Sequence, residues 1–221
     1  MDFSKTFSKY QTNHSYEKAK SHKMPSKKNY NYFIVIPCYN ELNYLFDTLE
    51  SINCQDKKLL KNTLVILVIN NSIDDNDIVK KNNLETYASI LKKQYNFEFI
   101  AIDCFSSKYA LKTKNAGVGL ARKIGLDFSL KYIKNQYSLL CSLDADTLIS
   151  TDYLNIVHET FTSPNIGACV LNFKHQSSDD NVIEKGIREY ERQIKYIAKK
   201  IDNSRSPYGY VSMGSTIVCN I

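Results

Sequence analysis

The run Tyr137-Ser138-Leu139-Leu140-Cys141-Ser142-Leu143-Asp144-Ala145-Asp146-Thr147 decides the fold. Its apolar part is short and uninterrupted, which is typical of a strand buried inside a sheet. Asp144 and Asp146 follow where that strand should end, and ligands of open α/β sheets bind at this end. Residues two apart on an extended strand point the same way, so both carboxylates are expected to converge on one hard cation. A metal-free acidic turn is the alternative interpretation.

Three earlier apolar runs have the same character. Strands are predicted over residues 32–36, 64–69 and 97–104, and helices over residues 42–52, 78–94 and 116–132. Continuous apolar strands that alternate with helices indicate a parallel sheet covered on both faces. After the acidic pair, a strand is predicted at residues 169–173 and a long amphipathic helix at residues 183–201. The predicted fold class is therefore α/β, with a mostly parallel sheet and helices on both faces.

Composition limits the classes of protein that fit this chain. Its 221 residues, 43% hydrophobic and 24% charged, suit one globular domain. No apolar stretch approaches the ~18–20 residues that cross a bilayer. Because the N-terminus also lacks an apolar signal region, a cytoplasmic location is expected. The six cysteines are scattered without a C-x-x-C pair, which favours reduced thiols over a zinc site.

Residues 1–28 form a basic leader that precedes the expected domain at residues 29–221. The segment contains seven lysines and two acidic residues, so it carries most of the net charge of +6. Because no apolar period runs through it, we expect a mostly disordered leader with at most one short helix. A solvated tail is the ordinary explanation of such charge, and peripheral contact with the inner face of a membrane is left open. No nucleic-acid partner is expected.

Polar motifs follow the first two strands and open the third predicted helix. They are Pro37-Cys38-Tyr39-Asn40-Glu41, Asn70-Asn71-Ser72 and Gly117-Val118-Gly119-Leu120-Ala121-Arg122-Lys123. All lie at the sheet edge that holds the acidic pair, so together they predict a cleft. Pro37 and Tyr39 suit a planar base, and Asn70 or Asn71 offers hydrogen bonds to its edge. The acidic pair suits a ribose and a metal-bound diphosphate.

In this order, the four motifs resemble those of the family 2 glycosyltransferases with the Rossmann-like GT-A fold. That family has P-x-Y-N-E after one strand, D-D-x-S after the next, a G-x-x-x-A-R-N-like helix start, and D-x-D after a further strand. The resemblance covers residues 31–221. It implies transfer of a sugar from a UDP- or GDP-sugar to a glycan or lipid-linked acceptor, with Mn²⁺ or Mg²⁺ as cofactor. The synthesis of cell-surface polysaccharide is the setting that it implies.

The resemblance also implies roles for single residues. Asp144 matches the carboxylate near the donor ribose, and Asp146 matches the metal ligand. Asparagine replaces the family's acidic pair and both donates and accepts, so the base stays open between UDP and GDP. Arg122-Lys123 suits either the diphosphate or the solvated flank of a helix. The expected donor-binding residues are Pro37, Cys38, Tyr39, Glu41, Asn70, Asn71, Gly117, Arg122 and Asp144.

The family's acidic E-D segment, which holds the general base of inverting members, has no counterpart here. It follows a strand that corresponds to the one starting near Gly214, and the chain stops at Ile221, so we expect truncation before it. No catalytic residue is assigned. Asp179-Asp180 is expected in a turn, and Glu184, Glu189 and Glu191 on an exposed helix face.

Two other functions compete with an active transferase. The first is a catalytically incompetent nucleotide-binding or scaffold module, which the missing acidic segment favours. The second is a nucleotidyltransferase, which shares the sheet and the acidic metal site. A nucleotidyltransferase normally has a Gly-rich loop with Arg or Lys after the first strand, and residues 37–41 lack that pattern.

Overall fold

A computed structural model describes residues 3–16, 19–163, 165–211 and 213–221. Within these ranges the strands are β1 (Lys20–Ser21), β2 (Tyr32–Cys38), β3 (Thr63–Asn70), β4 (Glu98–Cys104), β5 (Leu139–Ser142), β6 (Ala168–Val170) and β7 (Ile217–Asn220). The α-helices are α1 (Phe3–His14), α2 (Leu45–Asn53), α3 (Lys57–Leu60), α4 (Asp77–Ile90), α5 (Val118–Ser129), α6 (Tyr153–Thr160) and α7 (Asn181–Asn203). Short 3₁₀ turns lie at Thr113–Asn115, Leu130–Tyr132 and Gly214–Thr216. None of these described helices has the length and apolar character needed to cross a membrane.

The strands form one sheet in the order β1-β4-β3-β2-β5-β7-β6. The four central strands, β4, β3, β2 and β5, are parallel. At the edges, β1 runs antiparallel to β4, and β7 runs antiparallel to both β5 and β6. The predicted mostly parallel α/β sheet is therefore confirmed, with antiparallel strands added at both edges.

Both faces of the central strands are buried, which explains their uninterrupted apolar sequences. Every residue of β2 and β3 is buried. On one face, Ile34 and Ile36 pack with apolar residues of α2, α4 and α6. On the other face, Phe33 and Val35 pack with α5. Since neighbouring residues of a strand point to opposite faces, a strand between two helix layers is apolar at every position.

The predicted elements are present, but several of their ends differ. β2 continues past Pro37, where the sequence predicted its end. The Val35 carbonyl accepts a hydrogen bond from Leu143 N, so by strand alternation position 37 also faces β5. The ladder to β5 ends at the pair Val35 and Ser142, so Pro37 leaves no donor missing there.

The strand predicted at residues 169–173 is shorter than expected. It spans Ala168–Val170, and its last pair joins Val170 to Ile217 at the start of β7. The residues just before β7, Gly214–Thr216, form a 3₁₀ turn. Residues 172 and 173 therefore have no strand beside them to extend the ladder.

Where the structure describes the leader, it contains α1 and β1, whereas the sequence predicts a mostly disordered segment with at most one short helix. Residues 1–2 and 17–18 lie outside the described residues. β1 joins the sheet edge, and Tyr10 Oη and Tyr16 N each donate a 2.8 Å hydrogen bond to Asp127 of α5. The Asp127 carboxylate is buried and also contacts Lys123 Nζ. Hydrogen bonds to the buried Asp127 carboxylate therefore connect the leader to α5. Such polar contacts cannot be predicted from the spacing of apolar residues in the sequence.

Gly125 sets how closely α5 approaches the sheet, and its replacement is expected to destabilise the fold. An added Cβ would lie 2.4 Å from Val35 Cγ1 and 3.0 Å from Val68 Cγ2. Both valines are fully buried, and β-branched side chains have little rotamer freedom. We therefore expect Gly125→Ala to lower the free energy of unfolding by about 1–3 kcal/mol, the usual effect of overpacking.

Urea denaturation of Gly125→Ala beside Gly186→Ala measures this effect. Gly186 lies within α7, and an added Cβ there meets nothing within 4 Å. The same substitution should therefore stabilise the protein at that position by about 0.5–1 kcal/mol, through helix propensity alone. If Gly125→Ala is as stable as the wild type, the close approach of α5 does not depend on the glycine.

Candidate functional site

A cleft of about 590 Å³ opens where β2, β3 and β5 end. This is the sheet edge at which the sequence placed its polar motifs. Seven of the ten predicted site residues line the cleft: Pro37, Tyr39, Glu41, Asn70, Gly117, Asp144 and Asp146. The structure therefore brings all four sequence motifs to one cavity.

Cys38 and Asn71 do not line the cleft. Cys38 is the last residue of β2, its thiol is buried in the core, and burial raises the pKa of that thiol. Asn71 is 0% exposed. Its Nδ2 donates to Ser72 O at 2.8 Å, and its Oδ1 accepts from Asn83 Nδ2 at 3.1 Å. Asn71 therefore holds the turn after β3 and is not available to a ligand.

Asn70 is the asparagine of the pair that faces the cleft. Its side chain is 2% exposed, and its Oδ1 has no hydrogen-bond partner among the described residues. Its backbone carbonyl accepts from Asn83 Nδ2 at 2.9 Å, which fixes the end of β3. Leaving a buried acceptor without a donor is unfavourable, so a ligand that donates a hydrogen bond here would satisfy it.

Tyr39 stands at the same end of the cleft, beside residues that the sequence analysis missed. Its ring is 45% exposed, and its Oη donates to Asp75 Oδ1 at 3.2 Å. The other Asp75 oxygen accepts from Ser72 N at 2.7 Å. Thr113 also lines this end and lies 2.9 Å from Ser72 Oγ. The sequence signal that could have identified Asp75 is the pair Asp74-Asp75, which lies one residue after the recognised Asn70-Asn71-Ser72 turn.

Arg122 reaches the cleft through Asp144. Its Nη2 donates to Asp144 Oδ1 at 2.6 Å, and its side chain is 17% exposed. The Gly214 backbone lies against the guanidinium, since an added Cβ there would lie 2.5 Å from Nη1. Lys123 points elsewhere and donates to His14 O at 2.7 Å. Of the two basic residues that the sequence left open, Arg122 therefore contacts an aspartate of the cleft wall, and Lys123 contacts the leader.

The two aspartates do not alternate along an extended strand, so that predicted geometry is wrong. β5 ends at Ser142, and Thr147 N donates to Asp144 O at 3.2 Å, which closes a turn. Between the aspartates, Ala145 is buried, and its carbonyl accepts from Thr48 Oγ1 at 2.7 Å. The turn still places both carboxylates on the wall of the cleft.

The acidic end fits a cation that is shared with a ligand. Across the described ranges, no three His, Cys, Asp or Glu side chains are arranged as a complete metal site. Glu41, Asp144 and Asp146 nevertheless line one cleft and offer carboxylate oxygens, the donors that Mg²⁺ and Mn²⁺ prefer. Mg²⁺ commonly takes one or two carboxylates and completes its shell with phosphate oxygens and water. The donor set therefore suits a cation held jointly with a diphosphate.

The three negative charges also affect one another. Burial raises the pKa of Glu41, and the Asp146 and Asp144 carboxylates raise it further. A raised carboxyl pKa means that ionised Glu41 destabilises the folded protein. That destabilisation is fully present above the raised pKa and disappears as the pH falls below the ordinary value of 4.5.

We therefore expect Glu41→Gln to stabilise the ligand-free protein at neutral pH. The gain should be on the order of 0.2–1 kcal/mol, the size of partly exposed charge interactions, and should shrink toward zero at about pH 4. Urea denaturation at both pH values measures it. Glu85→Gln is the control, because Glu85 is exposed and pairs with Lys81 at 3.8 Å, so it should bring no gain. Equal stability of Glu41→Gln and wild type at neutral pH would show that the three carboxylates do not repel.

Comparisons with known proteins agree with the motifs. A protein-family model described as Glycosyl transferase family 2 matches residues 33–216. No curated protein sequence matches the chain significantly. Among solved structures, the mannosyltransferase PcManGT from Pyrobaculum calidifontis, in complex with GDP-Man and Mn²⁺, is 14% identical with a TM-score of 0.47. The match covers 96% of this chain and 49% of that protein.

A second solved structure comes from S. aureus. It is TarS 1–349 in complex with UDP-GlcNAc, which is 15% identical with a TM-score of 0.43. The match covers 68% of this chain and 36% of TarS 1–349. The chain thus spans about a third to a half of the length of these two solved proteins.

Proposed function

Because this chain belongs to glycosyltransferase family 2, we propose that its cleft binds the nucleotide-sugar donor of a glycosyltransferase. The donor is a UDP- or GDP-sugar, and the acceptor is a glycan or a lipid-linked acceptor. One observation supports the proposal above all others. The end of the cleft beside β3 holds the unsatisfied Asn70 Oδ1 and the exposed Tyr39 ring, whose hydroxyl is hydrogen-bonded to Asp75. Asp144 and Asp146, in contrast, follow β5 on the other side of β2.

The first end suits the base of the nucleotide. The exposed face of Tyr39 offers a stacking surface, which every base can use. Asn70 Oδ1 needs a donor, and both uracil and guanine present a ring N–H on their hydrogen-bonding edge. Asp75 adds a second acceptor at this end. These groups fit either base, so UDP and GDP both remain in the proposal.

The other end suits the diphosphate. Gly117 and Val118 line the cleft where α5 begins, and the first N–H groups of a helix have no partner within it. A helix N-terminus therefore favours an anion. Asp146 is the residue proposed to hold Mn²⁺ or Mg²⁺, with Asp144 beside it and turned toward Arg122. When bound, such a cation neutralises the negative charge that develops on a leaving diphosphate.

The chain's own residues contribute orientation and charge. Sugar transfer breaks the bond between the anomeric carbon and the diphosphate while an acceptor oxygen attacks that carbon. Stacking on Tyr39 and the bond to Asn70 fix the nucleotide, and the α5 N-terminus stabilises the departing anion. No described residue is assigned as the general base, a group that typically contributes ~10²–10⁴-fold. Asp180 is not that base, because it caps α7 and accepts from Val182 N and Ile183 N.

The setting of the reaction is also a proposal. We place the protein in the cytoplasm, in the synthesis of a cell-surface polysaccharide. The leader, with seven lysines and two acidic residues, is the proposed peripheral contact with anionic lipid at the inner face of the membrane. Basic segments near such a surface are attracted by about 1 kcal/mol per Lys or Arg.

Nucleotide release tests transfer directly. The chain is incubated with a panel of UDP- and GDP-sugars and Mn²⁺, with and without glycan acceptors, and released UDP or GDP is measured. Acceptor-stimulated release from one donor class is the expected result. Donor binding without release would favour the catalytically incompetent nucleotide-binding module. A folded chain that neither binds nor turns over any donor would contradict the proposal.

A further inference from the structure

We infer that Gln176 is a positioning residue for the turn that holds Asp146, and that α7 fixes Gln176 in place. The inference rests on the proposed function, since it matters only if Asp146 holds a cation. The segment concerned is residues 174–178, between β6 and α7, which we call the strap. Gln176 has no proposed contact with the donor.

The strap contacts the Asp146 turn directly. Gln176 Nε2 donates to the Asp146 carbonyl at 2.8 Å. On another side of the same turn, Thr48 Oγ1 donates to Ala145 O at 2.7 Å. Within the described ranges the Asp146 carboxylate itself makes no hydrogen bond or ion pair. The position of the Asp146 Cα and the direction of its Cα–Cβ bond are therefore set by the backbone of the turn, which these two side chains hold.

α7 holds the strap through the backbone of His175. Glu191 Oε1 accepts from His175 N at 2.6 Å and lies 3.0 Å from His175 Nδ1. Arg188 Nη2 donates to His175 O at 3.0 Å. Glu184 Oε2 accepts from Ser178 N at 2.9 Å, at the far end of the strap. Both backbone polar groups of the residue before Gln176 are thus bound to side chains of one helix.

Glu191 differs from the prediction that placed it with Glu184 and Glu189 on an exposed helix face. It is 7% exposed, and Arg188 Nη1 donates to it at 2.9 Å. Hydrogen bonds from the backbone and side chain of His175, together with Arg188, lower the pKa of Glu191 to about 2. The Glu191 carboxylate is therefore charged at neutral pH. Charge-assisted bonds are stronger than neutral ones, so the strap has little freedom to move.

These contacts form a series from α7 to the strap and from the strap to the Asp146 turn. Removing one of these contacts should leave Asp146 less well positioned to bind a cation. It should not change the end of the cleft that is proposed to bind the base. A merely structural role would instead change stability and all ligand affinities together. The distinguishing quantity is Mn²⁺ affinity, compared with nucleotide affinity in the absence of metal.

The test uses Gln176→Ala in the full chain. Mn²⁺ binding is measured by electron paramagnetic resonance of free Mn²⁺, in the presence of saturating UDP or GDP. We expect Mn²⁺ affinity to fall about 10-fold, at the low end of the effect of outer-shell partners of metal ligands. Nucleotide affinity without metal and the unfolding temperature should not change. Gln193→Ala is the matched control, because Gln193 lies exposed on α7 and donates to Glu189 Oε1, away from the strap.

A second variant tests the series. Glu191→Gln keeps an acceptor for His175 N but removes the ion pair with Arg188, so it should weaken Mn²⁺ binding in the same direction. If the contacts act in series, Gln176→Ala/Glu191→Gln should be no weaker than Gln176→Ala alone. If the fold-losses of Mn²⁺ affinity in the two single variants multiply in the double variant, the inference is wrong.

The remaining outcomes separate the two proposals. If the wild type binds Mn²⁺ with nucleotide and Gln176→Ala binds it equally well, the positioning role is wrong and the proposed function stands. If the wild type binds UDP or GDP but no Mn²⁺, this inference fails while donor binding stands. If the folded wild type binds neither nucleotide nor Mn²⁺, the proposed function fails and this inference fails with it.

Discussion

Asp146→Asn is expected to abolish the metal-dependent part of nucleotide binding. Affinity for UDP or GDP measured with Mn²⁺ should fall by about 100-fold, or ~2.7 kcal/mol, while affinity without metal stays the same. An amide oxygen is neutral and binds a hard cation much more weakly than a carboxylate does. Because Asp146 is exposed and makes no hydrogen bond through its side chain within the described ranges, the substitution should leave the fold intact.

Calorimetric titration with and without Mn²⁺ measures this loss. Asp152→Asn is the matched control, since Asp152 is an exposed aspartate that precedes α6 and makes no side-chain cap hydrogen bond. It should bind nucleotide as the wild type does. If Asp146→Asn retains the full Mn²⁺ effect, Asp146 is not the metal ligand and another group of the cleft must hold the cation.

The second large effect is expected at the opposite end of the cleft. Tyr39→Ala should weaken nucleotide binding by about 10- to 100-fold, because stacking of a base on an aromatic ring contributes ~1–3 kcal/mol. The loss should be the same with and without Mn²⁺, since Tyr39 lies at the end of the cleft away from the proposed cation ligand. The same titrations therefore separate this effect from that of Asp146→Asn.

Two further tyrosine variants sharpen this prediction. Tyr39→Phe keeps the ring and loses only the 3.2 Å hydrogen bond to Asp75, so it should bind within about three-fold of the wild type. Tyr44→Ala removes a similarly exposed tyrosine that does not line the cleft, and it should have no effect. If Tyr39→Ala loses affinity only when Mn²⁺ is present, the base does not stack on Tyr39.

The central sheet follows from the sequence because its strands are buried on both faces. Residues 64–69 are all apolar, and β3 covers them with one residue added at each end. The site was predicted to the level of motifs for the same reason, since parallel strands bring their carboxyl ends to one edge. Pro37 is a position at which sequence rules based on single residues gave the wrong strand end. It suggested a strand end, but its missing N–H has no consequence once the ladder to β5 has ended.

Where two adjacent residues have similar chemistry, the sequence did not predict which of them faces the cleft. Asn70 faces the cleft and Asn71 faces inward, because Asn83 of α4 fixes the end of β3. Arg122 bonds to Asp144, whereas Lys123 bonds to His14 of the leader, and both partners are distant in the sequence. Asp75 and Thr113 join the cleft by the same kind of distant contact. No local period distinguishes these alternatives, since tertiary packing decides them.

Calorimetric titration of UDP and of GDP into the wild-type chain, each with and without Mn²⁺, tests the proposed donor cleft most directly. The expected result is saturable binding of one of the two nucleotides, about 100-fold tighter with Mn²⁺ than without it, which is the effect that Asp146→Asn should remove. Circular dichroism and cooperative urea unfolding of the same preparation establish that the protein is folded. Absence of binding of either nucleotide to that folded protein, with Mn²⁺ present, would contradict the assignment of the cleft to a nucleotide-sugar donor.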